Sequence, residues 1–232
     1  MPFKKVSLKS AFTMIEVLVV LAISALLISI ITPVVQRALS SSKKVACKSN
    51  LYQLATASLM YSANHQGRCA AYSSGLQETD PLYAKFWRQI NEVMYNDPDV
   101  TIEAATWHCP ADNSTDLRKA AAPSINYIIS YMFSMETSTS HGPHAGRWTS
   151  LHEIVSPGNK VMMADALYDT SLSPITIVNN IFFSDSRFLQ KVGDRHPGDT
   201  FNAAHWDGSV RAYTKLDFDE SEEWNEKLKL YQ

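Results

Sequence analysis

Four side chains in the C-terminal half, Asp165, His196, His205 and Asp207, are of the types that ligate a cation or move a proton. They sit in no dense ligand motif such as His-Glu-x-x-His, and no nucleophile–base spacing accompanies them. The reading is therefore no metal, no cofactor and no enzyme, with His196 bonded within its own loop and Asp207 serving a turn. Three cysteines, Cys47, Cys69 and Cys109, are too few for a disulfide scaffold and enough for one bridge. Zinc held by Cys69, His108 and Cys109 is a competing use, but it lacks a paired ligand spacing. The last reactive group is Glu16, the sole charged residue between Phe12 and Val35.

An ionised side chain in hydrocarbon costs roughly 2.5–3.5 kcal/mol even on the lenient insertion scale. At a helix end Glu16 would reach headgroups, and an interfacial carboxylate without a role is one reading. The other begins at "SA|FT". A cut between Ala11 and Phe12 would expose an α-amine one helical turn before Glu16. Such an amine ordinarily titrates at about 7.7–8 and is largely protonated at neutral pH. Ammonium and carboxylate attract strongly at low dielectric, within one chain or between neighbouring subunits. In the second case Glu16 sets the register of stacked helices.

These groups need elements to hold them. From Phe12 to Val35 nearly every residue is apolar or small, long enough as a helix to cross about 30 Å of hydrocarbon. The run is too long for an ordinary cleaved signal. Lys4, Lys5 and Lys9 favour a cytoplasmic leader, although Arg37, Lys43, Lys44 and Lys48 flank the other end. Pro33 removes a donor and leaves the Ser29 carbonyl without its helical partner, a deficit that Ser29 and Thr32 hydroxyls or water would soften. Beyond it Cys47, Leu51, Leu54, Ala55, Ser58, Leu59 and Ser62 keep helical spacing, and Gly67 is a stop. One helix from about Phe12 to His65 is expected; two helices broken near Pro33 or Ser40–Ser42 are the alternative. Leu82, Phe86, Ile90, Val93 and Met94 predict a further helix ended by Pro98. Strands are expected in "SINYIISYMFSM", "KVMMADAL" and "ITIVNNIFF", and at Thr200–His205 and Ser209–Thr214 around an Asp207-Gly208 hairpin. "TSLHEIVSPGN" predicts a short helix capped by Thr149 or Ser150. The tail "DFDESEEWNEKLKLYQ" is acidic, then helical, and solvated.

With 232 residues and a formal net charge of −2, the chain fits one or two domains and carries no large basic field. No nucleic-acid partner is evident.

The lysine leader followed by "AFTMIEVLVVLAIS" resembles the prepilin-type cleavage and methylation segment of type IV pilins and type II secretion pseudopilins. The resemblance covers residues 1 to about 40. It implies cleavage before Phe12 by a prepilin peptidase, methylation of the new amine, an assembly role for Glu16, and a helix proline at Pro33. Ala11 departs from the family's usual Gly. "ACKSNLYQLATASLMYSANHQGR" and "TWHCPAD" are similar to a pseudopilin-like subfamily in which Cys47 would pair with Cys109, leaving Cys69 as the competitor. "GDRHPGDTFNAAHWDG" resembles that subfamily's His-to-Asp-Gly motif, with ten intervening residues from His196 where the family has nine.

The expected fold is α+β and pilin-like, a long helix packed on a small antiparallel sheet. The divisions are a leader (1–11), a transmembrane helix (12–35), its amphipathic continuation (36–66) and a globular domain (67–232). The resemblance implies a structural subunit of a pseudopilus or type IV pilus-like filament, anchored once in the inner membrane with a cytoplasmic leader. Its partners would be the peptidase and other pilin subunits. The alternative is a membrane-tethered binding domain that does not polymerise.

Overall fold

A computed structural model describes residues 13–70, 86–97, 105–112, 131–134, 149–166, 180–181, 193 and 195–218. Helix α1 runs unbroken from Met14 to Asn64, so neither Pro33 nor the serine cluster divides it. The Ser29 and Thr32 hydroxyls donate to the carbonyls of Leu26 (2.7 Å) and Ile28 (2.8 Å). They do not serve the Ser29 carbonyl that Pro33 deprives of a partner, which corrects the expected compensation.

The chain divides into two compact units, Met1–Ser40 and Ser41–Gln232. In the first, large apolar side chains stand open along α1, from Met14 (86% exposed) to Leu39 (59%). At about 1.5 Å per residue, Met14–Val35 spans about 33 Å, the thickness of a hydrocarbon core. Among the described residues this is the one helix long and apolar enough to cross a membrane.

In the second unit the same helix turns amphipathic. Cys47, Leu51, Leu54, Ala55, Ser58, Tyr61 and Ser62 are buried at steps of three and four residues. Leu59 is only partly buried, while Ala57 joins the buried set. Ser62 Oγ stays satisfied by the Ser58 carbonyl (3.1 Å). Gln66 adopts a left-handed φ of 57°, and the Gly67 N–H donates to the Ser62 carbonyl, closing the helix. The chain then runs beside residues 149–151, where the Cys69 N–H meets the Thr149 carbonyl and the Leu151 N–H meets the Gly67 carbonyl.

Helix α2, Phe86–Tyr95, buries Ile90 and partly buries Val93 and Met94, as its spacing predicts. It stops at Asn96, whose φ is +54°, before the expected breaker Pro98. Leu82 and Pro98 lie outside the described residues.

Strands β1 (Tyr131–Ser134), β2 (Val161–Asp165), β3 (Asn180–Ile181), β4 (Thr200–His205) and β5 (Val210–Thr214) form one sheet in the order β3-β1-β2-β4-β5. Four strands pair antiparallel; two-residue β3 adds parallel to β1. Central β2 is buried along its whole length, so "VMMAD" reads as a continuous run. Its register against β4 slips between Val161 and Met163, a bulge. The β4–β5 turn is a three-residue loop: the Gly208 N–H closes onto the His205 carbonyl and Gly208 takes φ +83°. "TSLHE" forms a single 3-10 turn over Leu151–Glu153, with Ser150 as its N-cap. The acidic tail beyond Phe218 lies outside the described residues.

Candidate functional site

Glu16 does local work at the start of α1. Thr13 N–H and Oγ1–H both donate to Glu16 Oε2, at 2.8 and 2.7 Å. In return the Thr13 carbonyl and hydroxyl accept from the Glu16 N–H, at 3.1 and 3.4 Å. This reciprocal arrangement is a capping box, which satisfies helix-end donors that no intrahelical carbonyl reaches. Its Thr-x-x-Glu spacing is present in the sequence, but reasoning from charge alone passes over it. Glu16 is therefore held on the first turn, its carboxylate aimed at the chain entering the helix. Ala11 and Phe12, where the sequence leads one to expect cleavage, lie outside the described residues.

Pro33 sits within the exposed half of α1 and is passed without interruption.

At the other end of α1, Cys47 and Cys109 are joined by a disulfide, with Cα atoms 4.8 Å apart. Both are buried, and the bridge ties the helix to segment 105–112. Asn50 Nδ2 reinforces it by donating to the His108 carbonyl (2.9 Å), and Trp107 Nε1 ties the same segment to α2 through Asn91 Oδ1 (2.9 Å). Cys69 is free and buried, and burial pushes its thiol up to about 12. The zinc set of Cys69, His108 and Cys109 is not what the fold gathers: the sulfur of Cys109 is bonded to Cys47, and His196 is the imidazole beside it.

Of the four C-terminal donors, the fold brings together two. His196 Nε2 lies 3.0 Å from Asp165 Oδ2, both side chains fully buried. The expectation that His196 bonds within its loop holds for its backbone, which pairs with Thr200 across Pro197–Asp199. It fails for the side chain, which crosses to β2. Asp165 Oδ2 also accepts from Asn202 N (2.7 Å) and Asn202 Nδ2 (3.2 Å). A buried carboxylate needs such donors, since an unpaired charge there is costly. Asn202 was not foreseen, because its partner lies 37 residues away on a neighbouring strand.

His205 and Asp207 go elsewhere. Side chains alternate along β4, so Asn202 and His205 point to opposite faces of the sheet. His205 Nε2 meets the Tyr213 hydroxyl at 2.8 Å. Asp207 Oδ1 accepts from the Ser209 N–H at 2.8 Å, as a turn residue. Burial pushes the Asp207 carboxyl up, but the Ser209 hydrogen bonds and the charges of His205 and Arg211 outweigh it and hold it below its ordinary value.

Just beside the cluster, Arg195 Nη1 and Asp112 Oδ2 form an ion pair at 2.6 Å. Arg195–His196 thus grips Cys109–Asp112 at two points, the second being His196 Nε2 at 3.9 Å from Cys109 Sγ. Tyr131 donates its hydroxyl to the Cys47 carbonyl (3.4 Å), and burial, then the nearby Asp165 charge, raises its pKa.

Residues 7–32 match the family model of the prokaryotic N-terminal methylation motif. The match supports a pilin-type, prepilin-like protein, and with the apolar helix it is consistent with a single-pass membrane anchor. No curated protein and no solved structure matches the chain significantly.

Proposed function

We propose that this chain is a structural subunit of a type II secretion pseudopilus or a type IV pilus-like filament. It is made with a cytoplasmic leader, cut between Ala11 and Phe12 by a prepilin peptidase, and methylated on Phe12. It sits once in the inner membrane with its globular unit on the far side, and joins other pilin subunits through α1. It acts by assembly, without catalysis. Its globular unit is of the His-to-Asp-Gly type, on the resemblance of residues 193–208.

One observation carries the reading. The motif match over residues 7–32 takes in the end of the leader with Lys9, then Phe12 and Glu16, in the order that the chemistry of cutting and pairing needs. A helix serving only as a tether needs none of the three. The capping box adds a constraint: Glu16 is oriented toward the residue next to the new amine, and its charge and its capping role are separable.

Two experiments test this. Mass spectrometry of protein from its native host should find a chain beginning at methylated Phe12; an intact Met1 start refutes the processing. Glu16→Gln keeps the capping geometry but removes the charge. It should insert into membranes normally yet fail to co-assemble, whereas normal assembly of the Gln variant rules out a register role for the charge.

A further inference from the structure

The Cys47–Cys109 bridge does not stand alone in the interior. Cys47, Cys109 and His196 are all buried, and one donor atom from each lies within 4.8 Å of the others. His196 Nε2 is 3.9 Å from Cys109 Sγ and 3.0 Å from Asp165 Oδ2. Around a tetrahedral zinc-class ion, with bonds of about 2.0–2.3 Å, neighbouring donors stand roughly 3.3–3.8 Å apart. The imidazole is therefore already near the spacing such an ion imposes on both its neighbours.

We propose that this cluster has two states: a disulfide when oxidised and, when reduced, a site for a divalent thiophilic cation of the zinc class. Cys47 Sγ, Cys109 Sγ and His196 Nε2 are the gathered donors, and the fourth, Asp165 Oδ2, moves in from its place beside His196 Nε2. Soft thiolates and imidazole select such an ion over calcium or magnesium, which prefer oxygen.

In the reduction a phosphine and one water become the phosphine oxide; the sulfur–sulfur bond takes two electrons, and each sulfur takes one proton. The cation then displaces both thiol protons. Binding at Nε2 places the ring proton on Nδ1.

The surroundings are those of a supported site. Asn202 donates twice to Asp165 Oδ2 and so orients the carboxylate, as outer hydrogen bonds do for metal ligands. The Asp112–Arg195 ion pair holds the Cys109 and His196 segments together independently of the sulfur bond. Asp165 Oδ1 and His196 Nδ1 are buried without a hydrogen-bond partner among the described residues, so this polar pocket is not saturated by protein groups.

The test uses the full chain in detergent, reduced with a phosphine that does not chelate metal, and titrated with cobalt(II). One equivalent should give thiolate-to-cobalt charge transfer and tetrahedral d–d bands, which zinc abolishes by displacement. The oxidised chain should give neither. Bound metal should protect Cys47 and Cys109 from alkylation, mapped by peptide mass spectrometry, and a chelator should restore labelling. His196→Ala should weaken cobalt binding at least 100-fold and Asp165→Asn about 10- to 100-fold. Both variants are checked in the oxidised state by circular dichroism, where the disulfide still holds the fold. The proposal is overturned if reduced wild type gives no charge-transfer band whether cobalt is added before or after refolding. It also fails if protection falls on Cys69, or if His196→Ala binds like wild type.

Discussion

Replacing Cys47 and Cys109 together by alanine should cost the second unit about 4 kcal/mol. The bridge closes a separation of 62 residues. In the chain-entropy model, ΔS ≈ −2.1 − 1.5R ln n gives about −14 cal/mol/K for that loop, or about 4.3 kcal/mol at 25 °C. The small voids left by two buried sulfurs push in the same direction. Unfolding entropy near 60 °C is about 2.1 cal/mol/K per residue. For Ser41–Gln232 that is about 0.4 kcal/mol/K, so the midpoint should fall by about 10 °C. The assay is a near-UV circular dichroism melt of oxidised wild type and the double variant in the same detergent. Near-UV signals from Trp107 and Trp206, both in the core, report this unit and not the apolar half of α1. A shift below about 3 °C would refute the reasoning. It would mean that the loop does not restrain the unfolded chain, or that the bridge does not form.

Further outcomes follow from other parts of the structure. Asp165→Asn leaves His196 facing an amide in a dry interior and should cost about 3 kcal/mol, read as a lower urea midpoint at unchanged slope. Gly208→Ala should cost about 1–2 kcal/mol, because φ is +83° and the new Cβ would stand 3.2 Å from Leu59 Cδ1, tighter than an ordinary contact. The Cys69 thiol is raised on folding from 9.0 to about 12, so the neutral thiol is the form the fold favours. That contribution is intact below about pH 9 and is lost as pH rises toward 12, while the unfolded thiol ionises; at pH 11 roughly 3 kcal/mol should be gone. Cys69→Ala should flatten that alkaline decline in a pH series of urea melts. Glu16→Ala removes the capping box as well as the charge and should fray the first turn at a cost of about 1 kcal/mol. Glu16→Gln should not, by amide exchange at residues 14–17.

Sequence alone was enough for many of the properties set by neighbours along the chain. The apolar run and its single carboxylate define α1 and its membrane-length half, since helix length and hydropathy are local sums. The spacing of Cys47, Leu51, Leu54, Ala55 and Ser58 marked the core face, and Asp207-Gly208 marked the β4–β5 turn, because positive φ favours glycine. The Thr13–Glu16 box was equally local, and legible. Tertiary structure decided what joins residues far apart in the chain. Asp165 and His196 meet because β2 lies beside β4 and the loop before β4 folds back over it. His205, three residues past Asn202, is turned to the other face by strand alternation. No spacing rule could pair Asp165 with His196 and leave His205 out. Register and strand order, set by how the core packs, made that choice.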